Sequence, residues 1–256
     1  MCPWLVDGPA EPDLDAGPDA DAEPVRAMPL VLRLERPGGP VEPPTRTALL
    51  EAAAAAAVLL CLDERAAPGG PWYDAVAAWA GAGRIRKVAR RARTSHWTAV
   101  DDVEGLTCSR AGADVRALVP GPVDDVPHEV RRLQIGGTDL PVDTPGAPDP
   151  DRPVIWLNPH VEQSTGKAAA QVGHASMILA VMLAASGADP SVAAEASVRV
   201  ASEDDWDVWS AVLGQDGSGR EGWDRHRVAP VRDAGFTEVE PGTMTCLAQD
   251  AGAPGR

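Results

Sequence analysis

Ser164-Thr165-Gly166-Lys167-Ala168-Ala169-Ala170-Gln171-Val172-Gly173-His174-Ala175-Ser176 is the stretch on which the reading of this chain turns. It reads as a loop that becomes a helix. Ser164 or Thr165 offers a hydroxyl that accepts from the free amides of a first turn. The helix then runs through Met177-Ile178-Leu179 to about Ala185. Gly187 ends it, because glycine takes the left-handed conformation at low cost. The body is apolar nearly all round, which predicts burial against a sheet. Lys167, Gln171 and His174 interrupt it at i, i+4 and i+7, so they form one stripe at the N-terminal end. An amide-rich helix start carrying a lysine favours a negative charge or a developing oxyanion.

Lys167 stands out in a second way. The chain has 23 Lys+Arg, yet its only lysines are Lys87 and Lys167. A lysine is a compact point charge that burial can tune, where arginine is a planar fork. The alternative is a surface residue beside a cap. Hydrophobic residues make up 44% of the 256, enough for a sizeable core, but aromatics only 4%, so Ala, Val and Leu must build it. The net charge of −15 argues against indiscriminate nucleic-acid binding, which needs basic surface for counterion release. Cys2, Cys61, Cys108 and Cys246 lack metal-ligand spacing, so no metal site or cofactor is expected, and a reduced, cytoplasmic setting fits. Ala48–Leu62 and Ala168–Ala185 are apolar but shorter than the ~20 residues a membrane span needs, so both are expected to be buried helices.

Taken in order, residues 1–27 are rich in Asp, Glu, Pro and Gly without apolar periodicity and are expected to be a disordered acidic tail. An N-terminal α+β region is expected over 28–120. It holds an extended piece at Pro29–Leu34, a helix from Ala48 to about Glu64 capped by Thr45 or Thr47, and a second helix over Trp72–Trp79. Ile85, Val88, Ala89 and Ala92 fall at helical spacing, which predicts a basic helix with Arg86, Lys87, Arg90, Arg91 and Arg93 turned mostly outward. Such a helix either meets RNA phosphates or pairs with the chain's own carboxylates. Trp97–Val100, Leu106–Ser109 and Val115–Val119 read as strands, and His128–Leu133 as a helical turn. Residues 121–151 read as a linker at a domain boundary.

A second domain is expected over 152–249, with a loose tail over 250–256. Val154–Leu157 reads as a strand covered on both faces, and Ser197–Ala201 as another. Ser202 caps a helix that ends at Gly214, and Gln215–Gly222 is a loop. Arg227–Arg232 is a strand at or near an edge because of Pro230. Phe236–Val239 is extended, and Thr243–Ala248 is the last strand. The order predicts an α/β, three-layer domain with a small mixed β-sheet and flanking helices.

Two motifs in this domain resemble a known family. Gly166 to Ala175 resembles the GK-x-AAQ-x-x-HA signature of the type II (archaeal and eukaryotic type) peptidyl-tRNA hydrolases. Val231 to Thr237 followed by Pro241-Gly242-Thr243-Met244-Thr245 resembles that family's second signature, DAG-x-T then PG-[ST]-x-T. The resemblance covers about Arg152 to Ala248. It implies hydrolysis, without a metal, of the ester joining a peptide or blocked amino acid to the terminal ribose of tRNA. It implies that Lys167 stabilises negative charge and that Asp233 orients or activates water with Thr237. It further implies that Gln171, His174, Thr243 and Thr245 line or steady the site. The partner would be tRNA carrying a peptidyl or blocked aminoacyl group, with no membrane involved; a homodimer is left open. The chain departs from the pattern just before the signature, where Glu162, Gln163, Ser164 and Thr165 stand in place of the family's further lysines. Arg86, Lys87, Arg90 and Arg91 are the candidates to compensate in holding RNA. The competing reading is a catalytically silent RNA- or protein-binding module on the same fold. His174 stays open between a core histidine and a site residue, and Asp233 alone would be a plain turn residue.

Overall fold

The computed structural model describes residues 24–39, 41–82, 85–213, 220–233 and 238–252. The expected acidic tail up to residue 23, Gly214 to residue 219, Thr237 and the last four residues lie outside the described residues.

The chain forms two mixed sheets with helices between and outside them. In the first half, β1 (Arg26–Arg33) leads through α1 (Arg46–Leu62) and α2 (Tyr73–Ala80) to β2 (Lys87–Ala92), which pairs parallel to β1. After α3 (Thr94–Val100), β3 (Gly105–Arg110) and β4 (Ala113–Leu118) form a hairpin, and β4 pairs antiparallel to β1. The order is β2-β1-β4-β3, with the two-residue β5 (Gly121–Pro122) beside β1. A short helix, α4 (His128–Arg131), follows.

The second half repeats this plan. β6 (Val154–Leu157) leads through α5 (Thr165–Ala185) to a parallel β7 (Ser197–Val200). Then α6 (Glu203–Leu213) and α7 (Arg220–His226) precede β8 (Val228–Arg232) and β9 (Met244–Gln249). The order is β7-β6-β9-β8, with β9 antiparallel to both neighbours. Strand for strand the two sheets have the same connectivity.

Helices α1 and α5 pack on each other between the sheets, α1 against β3 and β4, α5 against β8 and β9. Their small residues allow this. The alanine run Ala52–Ala57 is wholly buried, Ser176 Oγ donates to the Ala54 carbonyl at 2.8 Å, and a Cβ on Gly173 would stand 3.1 Å from that of Ala57. One hydrophobic core therefore runs through both halves, from Leu30 and Leu32 on β1 to Ile155, Val198 and Ala248 in the second sheet. Smaller clusters lie on the outer faces: Val31 with Trp97, Val100 and Val130, and Trp206 and Leu213 with Val228 and Leu247. The alternation of Leu30 and Leu32 with Val31 follows the two-residue period of a strand buried on both faces.

Several expectations are corrected. Residues 87–92 form a strand, not a basic helix. In the extended register Lys87 and Ala89 share one face and Val88 and Arg90 the other, so the cations are not gathered on one outward stripe. Trp97–Val100 is helical, because Trp97 and Val100, three apart, both dock in the outer cluster. Part of the expected loop, from Arg220 on, is α7. Helix α5 starts at Thr165, which makes its 21 residues long and apolar enough to cross a membrane, but most of it is buried in the protein. The stretch 121–151 ties both central helices down. Asp143 accepts from the amide and hydroxyl of Thr47 at 2.9 and 3.0 Å at the start of α1, and Thr138 and Asp139 do the same work at the start of α5.

Candidate functional site

Asp233 follows the end of β8, at the sheet edge that Pro230 marks. Its backbone amide donates to the Thr243 carbonyl at 2.9 Å, and its carbonyl accepts from the Gly242 amide at 2.7 Å. These bonds tie the Asp233 backbone to Gly242 and Thr243, and its carboxylate meets α5. There Asp233 Oδ1 forms an ion pair with Lys167 Nζ and accepts from Gln171 Nε2 at 2.7 Å. Thr245 Oγ1 donates to Gln171 Oε1 at 2.9 Å, which fixes the amide so that its NH2 faces Asp233. A bulge between Val231 and Arg232 breaks the pairing register opposite Thr245, and this sets Thr245 toward the helix beside Cys246. Asp233 and Gln171 are buried, and Lys167 is nearly so. Thr245 and Thr243 stand behind the site: the first orients Gln171, and the second holds Asp233 by its backbone. Thr237 lies outside the described residues.

The chain Lys167–Asp233–Gln171 faces a cavity of about 460 Å³. Helix α5 forms its floor with Gly166, Lys167, Ala170, Gln171, His174 and Ile178. One wall is β8 and Asp233; the other is the start of β2 and the two residues before it, Ile85 to Ala89. Both lysines of the chain therefore open into the same cavity. Lys87 Nζ and His174 Nδ1 share a hydrogen bond at 2.9 Å, and Nζ lies 5.4 Å from the centre of the Trp79 ring. When Lys87 carries its proton it can only donate, which places the His174 proton on Nε2. Burial, and then the charges of Lys87 and Lys167, push the His174 pKa well below its ordinary value, so the ring is neutral at pH 7. Burial likewise lowers Lys87 to about 7.

The Lys87 shift carries a stability consequence. Between about pH 7 and the ordinary lysine range the unfolded chain binds a proton that the folded chain does not, so stability rises with pH across that window. Lys87→Met is expected to stabilise the protein at about pH 7.5 by about 2 kcal/mol, and the gain should shrink toward pH 10. Urea unfolding of both proteins across that range checks it; a gain independent of pH would contradict it.

The start of α5 departs from expectation. Its first amides were expected to serve an anion. Instead Thr165 N donates to Asp139 Oδ1 at 3.3 Å, Gly166 N to Thr138 Oγ1 at 3.0 Å, and Lys167 N to Ser164 Oγ at 3.1 Å. Ser164 in turn donates from its amide and hydroxyl to Glu238, at 2.8 and 2.7 Å. The chain's own side chains thus fill the anion position, and charge developing in the cavity must be met by side chains instead. Gly166 is required by this arrangement. A Cβ there would come within 2.7 Å of Thr138 Oγ1 and 3.3 Å of the Ala89 Cβ. Gly166→Ala is expected to destabilise by about 1–3 kcal/mol despite the higher helix propensity of alanine. A thermal melt in which the variant matches or exceeds the parent would contradict this.

Of the residues expected to meet RNA, Arg86 and Lys87 line the cavity. Arg90 donates to the Leu133 carbonyl at 3.3 Å, and Arg91 bonds Gln134 and the Gly137 carbonyl. The basic run is thus largely taken up by the fold. Sequence reasoning missed Glu238, Thr138 and the meeting of the two lysines; the shared rarity of Lys87 and Lys167 was the available signal. Cys246 is no nucleophile, since burial pushes its thiol up to about 12. Among the described residues no group of three or more His, Cys, Asp or Glu could hold a metal ion. The chain matches no protein-family model and no curated protein.

Proposed function

We propose that the cavity hydrolyses the ester of an N-blocked aminoacyl or peptidyl group on the terminal ribose of tRNA, as the resemblance to type II peptidyl-tRNA hydrolases implies. What carries the reading is that Lys167, Gln171, Asp233 and Thr245, drawn from two motifs far apart in sequence, form one hydrogen-bonded chain, and that Lys167, Gln171 and Asp233 face the cavity. Ester hydrolysis needs an acceptor for a water proton and a donor for the tetrahedral oxyanion, and this chain offers both.

In the proposed reaction a water in the cavity hydrogen-bonds to the Asp233 carboxylate. Its oxygen attacks the ester carbonyl carbon while its proton passes to Asp233. The Lys167 ammonium moves part of its hydrogen bonding from Asp233 to the carbonyl oxygen as that oxygen gains charge. On collapse the ribose oxygen leaves and takes the proton from Asp233. One water is consumed, and a carboxylic acid and a free ribose hydroxyl are released. Gln171, fixed by Thr245, keeps Asp233 aimed throughout.

The test is release of N-acetyl-leucine from N-acetyl-leucyl-tRNA by the purified protein at low salt. Steady release that persists in excess chelator supports the proposal. A folded protein that releases nothing at micromolar concentration rejects it.

A further inference from the structure

The two halves share one topology but not one site. Counted from the capping residues Thr45 and Ser164, the positions of Lys167 and Gln171 on α5 fall on Ala48 and Ala52 of α1, both buried. The contacts that cross between halves are reciprocal in place and opposite in character. Strand β7 reaches α1 through Arg199, which pairs with Glu51 at 2.8 Å while Glu51 also accepts from the Val198 amide at 3.1 Å. That contact is charge-balanced. Strand β2 reaches α5 through Lys87, which meets a neutral imidazole. Among the described residues no carboxylate lies within ion-pair distance of it. Its stem crosses Gly173, where a Cβ would stand 3.1 Å from Lys87 Cδ and 3.2 Å from Cε. The missing side chain at Gly173 lets the amine of the first half enter the cavity of the second.

We propose that the first half is kept as a fixed partner for the second, and that Lys87 recognises the acyl end of an N-blocked aminoacyl ester, donating to the carbonyl of the blocking amide and rejecting a free α-ammonium by like charge. This rests on the hydrolase reading above. The surroundings favour an acyl group over a nucleotide. The cavity is also lined by Ile85, Ala170 and Ile178, and among the described residues no Trp, Tyr or Phe lines it to stack a base. Lys167 and His174 are separated by about 10 Å of helix, a gap that one acylated amino acid and two lysine side chains span. Lys167 is already neutralised by Asp233, Glu238 is held by the Ser164 amide and hydroxyl, and Arg232 by the Gly242 and Leu213 carbonyls, so Lys87, beside His174, sets the charge preference at its own end. A buried donor built for a carbonyl discriminates strongly, because a ligand lacking that acceptor leaves it unpaired.

The experiment uses non-hydrolysable probes: leucine joined through an amide to 3′-amino-3′-deoxyadenosine, with its α-nitrogen either acetylated or free. Binding to the full chain is measured by calorimetry at about pH 6, where Lys87 carries its proton. The parent is expected to bind the acetylated probe at least about tenfold more tightly than the free amine. Lys87→Gln keeps a donor without the charge. It should hold the acetylated probe within about threefold and lose most of the preference, while Lys87→Arg retains it. Equal binding of the two probes by the parent, or an undiminished preference in folded Lys87→Gln, overturns the proposal. If Lys87→Gln does not fold, the parent is compared on the free amine and its deaminated 4-methylpentanoyl analogue; no rejection of the amine then overturns it. Turnover of the ester without this preference removes the Lys87 proposal alone. Absence of both turnover and probe binding removes the hydrolase reading with it.

Discussion

Asp233→Asn is expected to lower kcat for N-acetyl-leucyl-tRNA by about 10³-fold, with KM nearly unchanged. The substitution keeps the shape of the side chain and its bond with Gln171 but removes the ability to take a proton from water. Asp233 is buried and its backbone is tied on both sides to the Gly242–Thr243 turn, so asparagine should occupy the same place. Removing a positioned general base costs about 10²–10⁴ in rate, and the upper part of that range applies where the same group also returns the proton to the leaving oxygen. Parallel kinetics of parent and variant, with a melting curve for each, check it. A variant within about tenfold of the parent would place the base elsewhere, with Glu238, Lys87 and His174 also lining the cavity.

Lys167→Met should lower kcat by about 10²–10³-fold, the scale of losing an oxyanion donor. It should also cost about 3 kcal/mol of stability, because Asp233 is left ionised and buried without its cation. The two effects come apart in the double variant Lys167→Met/Asp233→Leu. Removing both charges relieves the buried carboxylate, so stability should return most of the way to the parent value while activity stays lost. Urea unfolding and the release assay on the three variants read the two quantities separately. A double variant less stable than either single one would mean that the pair contributes by packing and not by charge balance.

How much of this was legible depended on whether local pattern or distant partners decided the outcome. Helix α5 was legible because its cap, its apolar body and its terminal glycine are all local: Ser164 caps it, and Gly187 takes a left-handed φ of 77°. Strand β8 could be placed at an edge because Pro230 lacks a ladder donor. Strand β2 was misread because Ile85, Val88, Ala89 and Ala92 happen to fit a helical period. What decides their conformation is the parallel pairing of Lys87 to Ala92 with Met28 to Arg33, which no local pattern encodes. The same holds for Thr138 and Asp139. In sequence they sit in a stretch rich in Gly, Pro and Asp, yet they cap a helix whose first residue is more than twenty positions further on. The repeat of topology was hidden because the two halves differ at the positions that carry chemistry, Ala48 and Ala52 against Lys167 and Gln171. Of the site, Lys167, Gln171 and Asp233 could be named from the motifs. Beyond its rarity, Lys87 entered the sequence reading as an outward-facing residue of a basic helix, since its cavity-facing position depends on how one half sits against the other.

The most direct test of the account is a double-mutant cycle on kcat/KM for N-acetyl-leucyl-tRNA, using the parent, Lys167→Met, Asp233→Asn and the pair together. Residues that act as one unit in a single step lose their effect together. The expected result is a double variant about as impaired as the worse single variant. Losses that simply multiply would contradict the claim that Lys167 and Asp233 form one hydrolytic centre.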